Sequence, residues 1–143
     1  MGDPNPLHAV VFRVGGLVCA LPAGEVREIL PAGPATRIPG AAPAVQGLVN
    51  VRGRLVTVVD VHPLLGQPSP AEPALLLLER RGPAAGLSVG EVLDFLEVPP
   101  TAVADRDILP GVDGRVVAGT GEWAGHRFIL LDSDALLAPL LGA

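Results

Sequence analysis

Apolar positions in this chain fall in short runs, and glycine or proline separates almost every run from the next. Runs of this length and punctuation predict β-strands joined by tight turns. Residues 9–14 and 17–21 flank Gly15-Gly16, a two-residue hairpin signal. A short element at 25–30 follows. The next stretch carries Pro31, Pro34, Pro39 and Pro43, which excludes a regular helix or a central strand and predicts a loop with one helical turn near 42–45. Residues 46–51 and 54–61 flank Arg52-Gly53 as a second hairpin, whose turn Gly53 satisfies with positive φ. A helical turn at 63–65 and a proline-rich link at 67–73 come next. Strands at 74–79, 85–89 and 92–96 are expected to form a further hairpin-like set with a turn at 80–83. A long loop over 99–114 then leads to strands 116–120 and 127–131 around Ala124-Gly125. A terminal helix closes the chain, capped by Asp132 or Ser133, with Leu136, Leu137, Leu140 and Leu141 on one face and Pro139 limiting its regularity.

The pattern repeats. The segment 47–60, Gly-Leu-Val-Asn-Val-Arg-Gly-Arg-Leu-Val-Thr-Val-Val-Asp, returns in outline seventy-two positions later, so that Gly47 corresponds to Gly119, Gly53 to Gly125 and Asp60 to Asp132. Residues 24–30 likewise resemble 90–96. Two similar halves with about ten short strands between them predict an all-β protein: two small barrels packed together by internal duplication. The expected boundaries are a flexible tail at 1–8, a first barrel at about 9–70, a second at about 74–131 and the helix at about 133–141. Exchange of strands between the barrels stays open.

Composition narrows the function. Among 143 residues 49% are hydrophobic and the mean hydropathy is +0.48, so the chain is expected to bury a sizeable core. No apolar run approaches the ~20 residues that span a bilayer, and the N-terminus lacks a signal pattern, so a cytoplasmic protein is expected. The single cysteine, Cys19, cannot form an internal disulfide and sits where a buried strand residue would. The net charge is −5, and all ten basic residues are arginine. These are scattered among fifteen carboxylates, which argues against nucleic acid as a partner.

Chemical motifs are few. Asp60 and His62 lie two apart on an expected strand and share a face, but no nucleophile motif accompanies them. His8, His62 and His126 are widely spaced beside one cysteine, which is no metal-ligand pattern. Gly119-Thr-Gly121 opens no helix, so no phosphate loop or cofactor motif is read.

The run 47–60, preceded by Val26-Arg-Glu-Ile29 and Arg37-Ile38-Pro39, resembles the CheW family of bacterial chemotaxis coupling proteins. The similarity extends from about Val11 to Leu141, through Gly86-Leu-Ser-Val89, Val92-Leu-Asp-Phe-Leu96, Gly119 and Arg127-Phe-Ile-Leu-Leu131. The resemblance implies two five-stranded SH3-like barrels. It further implies a non-enzymatic adapter linking the cytoplasmic tips of methyl-accepting chemotaxis receptors to the regulatory domain of a CheA-type histidine kinase, without membrane insertion. At 143 residues the chain is not expected to hold a kinase, phosphotransfer or receiver domain of its own.

On that resemblance Arg52 is a receptor-coupling residue, with a local pairing that holds the hairpin as its structural alternative. Val26, Glu28 and Ile29 match an element where partner contacts cluster. Val89, Val92 and Phe95 are expected to line a groove between the barrels. Asn50, Gly53 and Gly125 are expected to serve the turns. Trp123, near the second turn, is either an exposed anchor or a lid on the barrel. The chain departs from the family pattern at His62, where arginine is usual, at Gly90, where many members have aspartate, and in its short link at 67–73. Two other readings stand beside the coupler: an adapter that binds receptor without kinase, and a small-barrel sensor with a metabolite between the halves.

Overall fold

The computed structural model describes residues 7–98 and 112–141. Ten strands form there: β1 (Leu7–Val14), β2 (Leu17–Pro22), β3 (Val26–Pro31), β4 (Val45–Val51), β5 (Arg54–Asp60), β6 (Ala74–Leu78), β7 (Ala85–Val89), β8 (Val92–Val98), β9 (Val117–Trp123) and β10 (His126–Leu131). Two helices accompany them, α1 (Val61–Leu64) after β5 and α2 (Ser133–Leu141) at the end. Asp132 caps α2 by accepting from Ala135 N–H at 3.1 Å. The residues expected near 42–45 make one turn, closed by Val45 N–H donating to the Ala42 carbonyl at 2.9 Å.

The strands build two five-stranded sheets, ordered β8-β1-β2-β10-β9 and β3-β6-β7-β5-β4. Each has one parallel pair near its centre, β2 with β10 and β5 with β7, and antiparallel neighbours otherwise. The expected division at 9–70 and 74–131 is not the one the ladders follow. β1 and β2 leave the first half to join β8, β9 and β10, while β6 and β7 join β3, β4 and β5. The two sheets are therefore equivalent units with exchanged strands. A sequence duplicated in tandem offers each strand two matching neighbours, and long-range packing chooses between them.

Two expectations near the edges change accordingly. The tail expected through residue 8 ends sooner, because β1 begins at Leu7 and His8 pairs with Glu97 on β8. Residues 1–6 and most of the loop expected at 99–114 lie outside the described residues. β7 and β8 do not pair as a hairpin either. Between them Gly90 crosses from one sheet to the other, donating its N–H to Arg13 O at 2.7 Å while Arg13 N–H donates to Glu91 O at 2.8 Å. A Cβ at Gly90 would lie 2.6 Å from that Arg13 oxygen. An aspartate at this position would not fit the crossing without a backbone shift.

The main core lies between the sheets. Val10, Phe12 and Val14 of β1 meet Leu76, Leu87 and Val89 there, and Leu136 and Leu137 of α2 join the same cluster. Ala9 and Val11, on the other face of β1, enter a second cluster with Ala20, Phe128 and Leu130. β1 is thus apolar at consecutive positions because both its faces are buried. Phe12 and Phe128 are each 0% exposed. Truncation of such a ring to alanine costs about 3–5 kcal/mol. Cys19 is buried in the main cluster, and desolvation pushes its thiol up to about 12.

Candidate functional site

The β4–β5 turn sets the geometry of the most distinctive surface. Arg52 has φ 50° and Gly53 φ 84°, the left-handed pair that a two-residue turn needs to match the twist of its strands. Asn50 supports the turn by accepting Gly53 N–H at 2.7 Å. The second hairpin repeats it with Ala124 at φ 47° and Gly125 at φ 80°. Asn50, Gly53 and Gly125 therefore all stand in the two turns. Glycine or asparagine is the easier occupant of the first left-handed position, so arginine is held there against a steric preference.

Arg52 spends that conformation on an ion pair. Its Nη1 donates to Glu28 Oε2 at 3.1 Å and its Nη2 to Glu28 Oε1, a fork-on-fork arrangement. Twenty-four residues separate the partners in sequence. β3 and β4 are opposite outer strands of their sheet, so the pair draws the sheet's two margins toward each other. The hydrogen bond from Arg52 holds the Glu28 carboxyl below the usual glutamate range, and Glu28 raises the Arg52 guanidinium in turn.

Beside this pair opens a pocket of about 190 Å³. Val51, Val56, Leu77, Leu78 and Ala84 give it apolar walls, and Arg27, Arg52, Arg54 and Arg80 surround them. Arg27 is the extra residue of a β-bulge, since Val26 pairs with Leu78 and Glu28 with the adjacent Leu77. Sequence reasoning singled out Arg52 and missed the other three arginines. The spacing Arg52-Gly53-Arg54 was the one visible signal, because Arg27 and Arg80 arrive only through sheet pairing.

The other expected site residues are dispersed. Val26 and Ile29 on β3 are half-buried and lean on the main core. Val92 does the same on β8. Val89 is 0% exposed, which corrects its expected place in a groove: β7 is an inner strand with all five residues buried. Phe95 is 63% exposed and stands on β8, an outer strand of the other sheet. Val89 thus lies in one sheet, and Val92 and Phe95 lie on β8 of the other. Leu55, 60% exposed at the start of β5, is a further exposed apolar side chain.

Two polar clusters are structural. Asp60 and His62 do not share a strand face. Asp60 ends β5 and caps α1, accepting His62 N–H at 3.0 Å and contacting Nδ1 of the buried His62 ring at 2.7 Å. Ser69 donates to the other Asp60 oxygen at 2.6 Å and ties down the link. Trp123 acts as a lid with a polar handle: it packs on the second apolar cluster while its Nε1–H donates to Asp94 at 2.9 Å. Among the described residues no three His, Cys, Asp or Glu side chains gather closely enough to hold a metal ion, and no helix is long and apolar enough to cross a membrane.

Comparison with known proteins gives this fold a family. Residues 8–140 match the CheW-like domain. Protein PilI of Pseudomonas aeruginosa is 37% identical over 98 residues, covering 66% of this chain and 55% of that protein. Chemotaxis protein CheW of Rhizobium meliloti is 35% identical over 108 residues, covering 73% of this chain and 66% of that one. The matched stretch thus spans between about half and two thirds of these relatives' lengths. Among solved structures, the scaffolding protein TtCheW from Thermoanaerobacter tengcongensis shares the fold with a TM-score of 0.81 at 22% identity, covering 90% of this chain and 86% of that one. With both sheets and α2 up to residue 140 inside the matched region, the chain belongs to the CheW-like domain family.

Proposed function

We propose that this protein is a non-enzymatic adapter of a chemosensory array, coupling the cytoplasmic tip of a methyl-accepting receptor to the regulatory domain of a CheA-type kinase. The observation that carries the reading is the CheW-like match over 8–140, which takes in both sheets. Outer margins on two sheets of one chain suit a protein that holds two partners at once. β3 with the Glu28–Arg52 pair lies at one margin, and β8 with the exposed Phe95 lies on the other sheet. Outer strands can be extended by a partner strand, and an exposed aromatic is a common anchor of a protein interface. An adapter of this kind transmits a signal by binding one receptor state more tightly than another.

The test is titration of the purified protein against a receptor-tip fragment and, separately, against the kinase regulatory domain, each repeated with Arg52→Ala, Glu28→Ala and Phe95→Ala. Saturable binding to both is expected, with Arg52→Ala or Glu28→Ala weakening one partner and Phe95→Ala the other. Binding to the receptor alone would replace the coupler by a receptor-bound modulator. Binding to neither would remove the adapter reading.

A further inference from the structure

The duplication supplies an internal control for the pocket beside Arg52. Seventy-two positions after Val51 and Val56 stand Trp123 and Phe128. In their sheet the Phe128 ring is fully buried over Gly121, where a Cβ would lie 2.5 Å from the ring's Cζ, and Trp123 covers the same apolar cluster. In the other sheet Val56 pairs with Val49 instead, and Val51 takes the place of the lid. One sheet has its inner end plugged by two aromatic rings. At the corresponding end of its twin, beside Val51 and Val56, lies a pocket with arginines around it.

The charge there runs against the rest of the molecule. Four of the ten basic residues of a chain with net charge −5 surround this single pocket. Glu28 neutralises Arg52, and Glu79 reaches Arg27 at 3.7 Å. Arg54 and Arg80 have no carboxylate partner among the described residues. Arg80 gives Nη1 to Pro83 O at 3.0 Å, while its buried Nε finds no acceptor there. Two backbone irregularities aim the group: the bulge at Arg27 and the left-handed turn residue Arg52.

We propose that this pocket binds a carboxylate side chain from an acidic segment of a partner protein. Guanidinium forks match a carboxylate in shape and charge. The apolar floor of Val56 and Leu77 suits the methylene stem of a glutamate better than a bare inorganic anion, which would leave that floor uncovered. The volume corresponds to roughly six waters at ~30 Å³ each, room for one such side chain. β3 forms one wall and is an outer strand, so a partner segment can lie along it and turn a side chain inward. The inference goes beyond the adapter reading and needs no particular receptor or kinase.

The experiment follows arginine Nε–Hε signals by NMR while the full chain is titrated with an acetylated, amidated glutamate-rich peptide. The controls are its glutamine-for-glutamate copy and inorganic phosphate. Saturable shifts of the Arg54 and Arg80 signals with the glutamate peptide alone are expected, weakening with added salt. Arg54→Gln or Arg80→Gln should each loosen binding by about tenfold. The double variant Val49→Gly, Val56→Phe, which copies the plugged sheet, should abolish it while Arg52 stays paired with Glu28. Equal response to the glutamine peptide would overturn a charge-based site. A response to phosphate without one to the peptide would mean a small-ion site and overturn the peptide assignment, and no response to any probe would overturn both. Kinase and receptor titrations stand apart from these outcomes, so either reading can fail alone.

Discussion

Replacing Gly47 by alanine isolates the contribution of one close backbone approach. Gly47 opens the motif that recurs at Gly119, has φ 140°, and lies where a Cβ would come 2.1 Å from the Thr36 carbonyl oxygen. No rotamer relieves such a clash, because both partners are backbone. Thr36 and Leu48 exchange two hydrogen bonds of 2.8 Å immediately beside it, and the loop must move off the strand, losing them. Two bonds at about 1 kcal/mol each, with about 1–2 kcal/mol for a side chain at positive φ, give roughly 3–4 kcal/mol. Gly53→Ala is the control, since Gly53 also has positive φ, 84°, but a Cβ there meets nothing within 4 Å. It should cost only the conformational part, about 1–2 kcal/mol. Equilibrium urea unfolding of both variants supplies the comparison through a common slope. If Gly47→Ala loses no more stability than Gly53→Ala, the loop yields freely and the steric argument is wrong.

Three further outcomes are expected. Carbonyl NMR should find Glu28 titrating below the usual glutamate range and returning toward it in Arg52→Ala; because the folded-state value is depressed, the pair's contribution is complete above the ordinary glutamate range and is lost as pH falls through the lower value. Cys19 should resist iodoacetamide at pH ~8 in the native protein and react only when urea unfolds it, since burial keeps the thiol protonated; rapid native labelling would show that β2 opens. Gly90→Asp should lower the unfolding midpoint by disturbing the exchange of hydrogen bonds with Arg13, whereas Gly24→Asp, where a Cβ meets nothing within 4 Å, should not.

Arg52 and Glu28 each stood out as motif residues, yet nothing local joins positions separated by the loop that carries Pro31 to Pro43. Their pairing depends on the curl of a sheet. Val89 reads like any apolar strand residue, and only the position of β7 inside its sheet shows that no partner can reach it. The other pocket arginines looked scattered for the same reason, since Arg27, Arg54 and Arg80 come from a bulge, a strand start and a loop that meet through pairing.

The amino-acid sequence by itself determined the local units. Arg52-Gly53 and Ala124-Gly125 set two tight turns, apolar runs set the ten short strands seen among the described residues, and the repeat set two equivalent sheets. These depend on backbone preference and side-chain type within a few residues. Tertiary structure alone decided which strands share a sheet, because duplicated halves present nearly equal edges to one another and the choice is made by packing across the whole core. The same long-range choice brought Arg27 and Arg80 beside Arg52 and Arg54 at one pocket.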